Sequence, residues 1–267
     1  MQRWVTGIPL AIAVVLLLLF APAAYPKCLI VGLSIIGAWE FFSMAFGPKV
    51  TWLRMIGCPL ALVGTAVFVF LQSFFSVTIF VYGVFVMAFL IQLQGSEDVV
   101  LRIRLVAFFV LGVLYNAFLF GFLALIFDVE HYLFWVFLLL VATFMADTGA
   151  YLVGKRWRQH KLALLVSPGK TVEGLVGGVV GAIVGTWGVK LIFWPEFHSG
   201  LITLLGVGLA LIGLLGDLSE SLLKRAFGVK DSGTILPGHG GLLDRVDALL
   251  FNAPWIYAVA TIYSQIT

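Results

Sequence analysis

The sequence predicts an all-α fold, a polytopic integral membrane helix bundle of about nine transmembrane helices. Three observations carry this. Hydrophobic residues make up 62% of the 267 residues and charged residues only 11%, mean hydropathy is +1.12, and the apolar runs are continuous. Such a chain is too apolar and too weakly charged for a water-soluble domain. A hydrocarbon core of roughly 30 Å takes about 20 apolar residues of helix. Nine such windows lie near residues 4–24, 28–46, 55–72, 74–94, 105–127, 132–153, 173–194, 200–219 and 247–264. Their lack of a two-residue period excludes an outer-membrane barrel.

Taken in order, the first window has Arg3 before it and Ala21-Pro22-Ala23-Ala24 after it, the outline of a cleavable secretory signal. It reads instead as helix one. The second carries Glu40 at mid-depth, where a charge costs roughly 2.5–3.5 kcal/mol on insertion scales, so Glu40 should face the bundle. Cys28 and Cys58 lack a CxxC pair or neighbouring histidines and read as small buried hydrophobes, with no metal site or disulfide framework. The sixth window holds Asp147 near its end, either a fourth acidic site residue or a partner of Lys155 or Arg156. The seventh carries Gly174, Gly177, Gly178, Gly181, Gly185 and Gly188, spacings that permit close backbone contact with another helix. Packing within the chain stands ahead of a homodimer here. Residues 1–267 form a single membrane domain, with N-terminal helices over 1–130 and C-terminal catalytic helices and cytoplasmic loops over 131–267.

Nine spans place the N-terminus and the loops after helices 2, 4, 6 and 8 on one side. Of the 16 Lys and Arg residues, only Lys27 and Lys190 fall on the other. The positive-inside bias makes the rich side cytoplasmic. The expected location is therefore the inner (plasma) membrane, multi-pass, with both long polar loops, about 154–172 and 220–246, facing the cytoplasm. A net charge of +3 without a basic, aromatic-interleaved tract argues against a nucleic-acid partner.

Charge in this oily chain concentrates between Gly216 and Asp247. Asp217, Ser221 and Lys224 share a face of a continuing helix, and Asp244 and Asp247 form a second same-face pair after His239-Gly240-Gly241. Carboxylates from two segments suit a hard cation such as Mg2+, which keeps waters and is completed by substrate phosphates. Lys224, Arg225, Lys230 and Arg245 add the cations that balance polyphosphate oxygens. The bland alternatives are a surface Glu220–Lys224 ion pair and a solvated loop around Asp244, Arg245 and Lys230. His239 suits loop packing or a phosphate contact better than acid–base work, and Gly240-Gly241 either offers bare N–H groups to an anion or simply makes a turn.

Upstream, Ser167-Pro168-Gly169-Lys170-Thr171 leads into the seventh helix, with Thr171 or Ser167 as N-cap. Lys170 opposes the helix dipole there, which suggests an anion beside it. GxxxxGK[ST] is absent, so this is not a P-loop.

The pattern Ser221-x-x-Lys224-Arg225, then Lys230-Asp231, then Pro237-x-His239-Gly240-Gly241-x-x-Asp244-Arg245-x-Asp247 resembles the signature of the phosphatidate cytidylyltransferases, integral membrane CDP-diacylglycerol synthases. Ser167-Pro168-x-Lys170-Thr171-x-Glu173-Gly174 resembles that family's second stretch, with Gly169 where a lysine is expected. The resemblance covers about residues 147–250. It implies that CTP and phosphatidic acid give CDP-diacylglycerol and pyrophosphate in phospholipid synthesis, with Mg2+ and, by the same resemblance, a monovalent cation such as K+. Asp217, Asp244 and Asp247 are then the expected metal ligands, and Ser221, Lys224 and Arg225 complete the catalytic set. Ser167, Lys170, Thr171, Lys230, Asp231, His239, Gly240, Gly241 and Arg245 are the expected substrate contacts. A CTP-dependent polyprenol kinase and a membrane transporter are the competing readings.

Overall fold

A computed structural model describes residues 2–46, 50–93, 98–235 and 240–266. Each of the nine apolar windows is an α-helix: α1 (Gln2–Phe20), α2 (Ala24–Ala45), α3 (Thr51–Ala66), α4 (Phe74–Gln92), α5 (Val99–Leu125), α6 (Tyr132–Arg156), α7 (Val172–Phe193), α8 (Ser199–Ala226) and α9 (Leu243–Ile266). The helices α2 and α4 to α9, and α3 together with the π-helical segment Val67–Leu71 that continues it, are long and apolar enough to cross a bilayer. This is a multi-pass membrane protein. Several helices outrun their windows: α8 continues to Ala226 and α9 begins at Leu243. The signature carboxylates therefore sit on helices.

The chain divides into two compact units, Met1–Leu125 with Asp231–Asp244, and Ile126–Lys230 with Arg245–Thr267. In the first, α2, α3 and α5 meet around the fully buried Phe41, Phe42, Phe109 and Phe120. Phe42 stacks on Phe46 and Phe109 at centroid distances of 5.4 and 5.9 Å. Large rings fit because glycines face them: a Cβ at Gly37 would lie 2.6 Å from Asn116 Oδ1, and one at Gly112 would lie 2.6 Å from the Phe41 ring. Only Val84 and Ala88 of α4 are buried. A helix apolar all round with little protein cover has lipid as its solvent. Cys28 is exposed on α2 rather than buried, whereas Cys58 is buried, and both are free.

In the second unit, α6 and α7 touch backbone to backbone. A Cβ at Gly149 would run into the Gly177 carbonyl, one at Gly181 into the Met145 carbonyl, and one at Gly178 would lie 3.2 Å from the Ala146 carbonyl. The seventh window's glycines thus pack against the sixth helix of the same chain. Further on, Gly208 faces Trp255, Gly213 faces Asn252, and Gly216 faces the Asp247 carbonyl, which draws α8 onto α9.

The loop between α6 and α7 holds a feature the hydropathy does not reveal, an antiparallel hairpin of β1 (Lys161–Ala163) and β2 (Ser167–Thr171). Thr171 then caps α7, its Oγ1 accepting from Gly174 N at 3.1 Å; of the two N-cap candidates, Thr171 is the one used. Glu173 in the first turn accepts from the His160 backbone N–H at 3.1 Å and contacts its ring Nδ1 at 2.6 Å. This pins the hairpin's start to the helix.

Candidate functional site

The second unit encloses a cavity of about 520 Å³ bordered by α6, β2, α7 and α8, with Ala248 of α9. That volume suits a small-molecule ligand. Its wall is apolar at Leu209, Ala210 and Leu214, and charged at Asp147, Lys155, Arg158 and Lys170. Three cations against one carboxylate favour an anion.

At this edge the sequence-predicted residues come together in part. Lys170 Nζ forms an ion pair with Asp217 Oδ2, although the two residues lie on β2 and α8. Ser221 Oγ donates to Asp217 Oδ1 at 3.3 Å, as their same-face spacing predicts. Asp247 lies within electrostatic reach of Asp217 and Asp147. The cause of this approach is Gly216: a Cβ there would lie 2.8 Å from the Asp247 carbonyl, so only glycine lets α9 come so near. Asp147, on the cavity wall, lies within electrostatic reach of Lys170 and Asp217. It belongs with the acidic group.

Lys224 turns to Glu220 at 3.2 Å, and with side-chain exposures of 15% and 2% this is not a surface ion pair. Arg225 Nε donates to the Val166 carbonyl at 3.4 Å, tying α8 to the hairpin turn. Ser167 lines the cavity beside Lys170, Gly169 and Thr171. Lys230 and Arg245 are exposed. Nothing packs at Gly169, since an added Cβ would find open space.

The remaining signature residues lie in the first unit, where they build a hydrogen-bonded loop. Asp244 Oδ2 accepts from Ser232 N at 2.8 Å, Ser232 Oγ at 3.0 Å and Gly241 N at 2.9 Å. Gly240 adopts φ +81°, a conformation that glycine takes at no steric cost, and Asp231 lies beside it. Glu40 supplies the other anchor, accepting from Leu242 N and Leu243 N, while Ser232 Oγ, 3.0 Å from both carboxylates, offers its single proton to one of them at a time. Glu40 lies five residues before the C-terminal end of α2 and is buried, as expected of a carboxylate that faces the bundle. His239, Pro237 and Gly238 lie outside the described residues.

Among the described residues no three His, Cys, Asp or Glu side chains converge as a ready metal cage. The neighbouring carboxylates Asp217 and Asp247 still fit Mg2+, which needs only one or two carboxylates beside water and phosphate oxygens. The sequence leaves Asp147 open between two roles and shows Glu220 only as half of a surface ion pair with Lys224. A carboxylate interrupting an apolar helix was the available signal for both.

The model of the cytidylyltransferase family matches residues 1–263. A phosphatidate cytidylyltransferase of Staphylococcus aureus (strain COL) is 47% identical over 126 residues, 46% of each chain. Another, of Staphylococcus haemolyticus (strain JCSC1435), is 43% identical over 129 residues, 48% of each chain. One of Bacillus subtilis (strain 168) is 42% identical over 163 residues, 60% of each. The chain therefore spans about half the length of the curated relatives it matches.

Proposed function

We propose that this chain, which belongs to the cytidylyltransferase family, transfers the cytidylyl group of CTP to phosphatidate at the cytoplasmic face of a plasma membrane. A phosphatidate oxygen attacks the α phosphorus of CTP, the bond from that phosphorus to the bridging oxygen breaks, and pyrophosphate leaves with the electron pair. The second pKa of a phosphate monoester is near 6, so the nucleophile is ionised at neutral pH and needs no strong general base. The difficulty is bringing two polyanions together, which is a task for positioned charge.

The observation that carries this reading is the cation-rich cavity with Lys170 held against Asp217. Lys170, Lys155 and Arg158 would receive phosphate oxygens at its polar edge, while Leu209, Ala210 and Leu214 give an apolar wall suited to a lipid. Ser221 orients Asp217. Asp217 and Asp247 would hold Mg2+, which when bound neutralises the phosphate charge and anchors the triphosphate. When Asp217 turns to the cation, Lys170 becomes available to substrate.

Purified protein with phosphatidate, labelled CTP and Mg2+ should place cytidine in lipid and release pyrophosphate. Release of CDP with phosphorylation of a polyprenol would instead reveal a kinase, and no nucleotide turnover at all would reject the enzyme reading.

A further inference from the structure

We infer that Glu40, on the N-terminal helix α2, is a positioning residue for the transfer reaction, acting through Ser232 on the carboxylate of Asp244, the expected metal ligand one helical turn before Asp247 on α9; the inference rests on the function proposed above. Glu40 is 1% exposed, and a buried carboxylate is costly unless its oxygens are satisfied. Here they are. Oε1 accepts from Leu242 N at 2.8 Å, and Oε2 accepts from Leu243 N at 2.9 Å and Ser232 Oγ at 3.0 Å. Leu243 begins α9 and Leu242 immediately precedes it, where the N–H groups have no partner within the helix. A side chain some two hundred residues earlier thus caps α9, and its negative charge matches the positive end of the helix dipole.

The contact does more than tie down a helix end. Ser232 Oγ lies 3.0 Å from both Glu40 Oε2 and Asp244 Oδ2, and Ser232 N and Gly241 N also donate to Asp244 Oδ2. A hydroxyl with one proton between two carboxylates makes their orientations interdependent. A Cβ at Gly241 would lie 2.5 Å from Glu40 Oε2, so the loop backbone rests directly on the carboxylate. Gln at position 40 would turn an NH2 group toward one of these donors, which keeps the shape and breaks the network. A residue that merely anchored the fold would alter the amount of folded protein, not the turnover of each folded molecule.

The test compares wild type with Glu40→Gln, Glu40→Asp, Ser232→Ala and the Glu40→Gln/Ser232→Ala double variant, purified in detergent. Amide hydrogen exchange and the kinetic constants for CTP and phosphatidate are measured on the folded fraction. Glu40→Gln should speed exchange at Leu242 and Leu243 while leaving α5 unchanged, and lower kcat about 10- to 100-fold with both Michaelis constants unaltered. Glu40→Asp, which keeps the charge, should recover part of that loss, and the double variant should be no worse than Glu40→Gln alone. Wild-type turnover or wild-type exchange in folded Glu40→Gln, or additive losses in the double variant, overturns the inference. If Glu40→Gln does not accumulate, Ser232→Ala decides: lowered kcat with faster exchange at Leu243 supports it, and unchanged kcat sinks it. A wild type without cytidylyl transfer rejects the proposed function, and the exchange measurement separates that failure from failure of the Glu40 clamp.

Discussion

Asp217 has both oxygens engaged, one by Lys170 and one by Ser221, with Asp247 and Asp147 as acidic neighbours. This makes it the residue on which the second unit's polar and charged groups converge. Asp217→Asn should lower turnover about a hundredfold or more without loss of folded protein, measured as cytidine incorporation per mole of monodisperse enzyme. Lys170→Ala has a different expected signature, because on the proposed function it removes a cation that would receive phosphate oxygens: a raised Michaelis constant for at least one substrate. Unchanged constants for both would take Lys170 out of the site. Asp217 and Ser221 were legible from i, i+4 spacing alone. The Lys170 contact was not, since 47 residues separate it from Asp217 and no local pattern encodes that distance.

At the scale of elements, the junction of α6 and α7 depends on missing side chains. Gly181 faces the Met145 carbonyl with no room for a Cβ, while Gly188 on the same helix has nothing within 4 Å. Gly181→Val should therefore cost at least about 1–3 kcal/mol of overpacking, seen as a lower thermal midpoint and poor yield in detergent. Gly188→Val should leave both near wild type, and equal behaviour of the two would refute backbone contact as the basis of this junction. The glycine spacing announced a close partner without naming it. The hairpin Lys161–Thr171 escaped detection for a related reason: strands of three and five residues carry too little periodicity to register.

For the whole molecule, the prediction concerns orientation. The charge partition of the sequence puts the α6–α7 loop in the cytoplasm and the α7–α8 turn across the membrane. In a chain first cleared of Cys28 and Cys58, Arg158→Cys should react with an impermeant thiol reagent only when the cytoplasmic side is open. Glu196→Cys, in the α7–α8 turn, should react from outside in intact cells. Reversed labelling would turn the enzyme's proposed face away from its nucleotide supply.

Sequence by itself determined the helices, because hydropathy is a local property and a bilayer demands about 20 apolar residues per crossing. It also determined that Asp217 and Ser221 share a face of a continuing helix, as the bond between them bears out. Only tertiary structure decided which distant groups meet: Lys170 with Asp217, and Glu40 with Ser232 and the start of α9. Such pairings depend on where glycines let backbones approach and where a buried charge finds its donors, and both are relations between residues far apart in the chain.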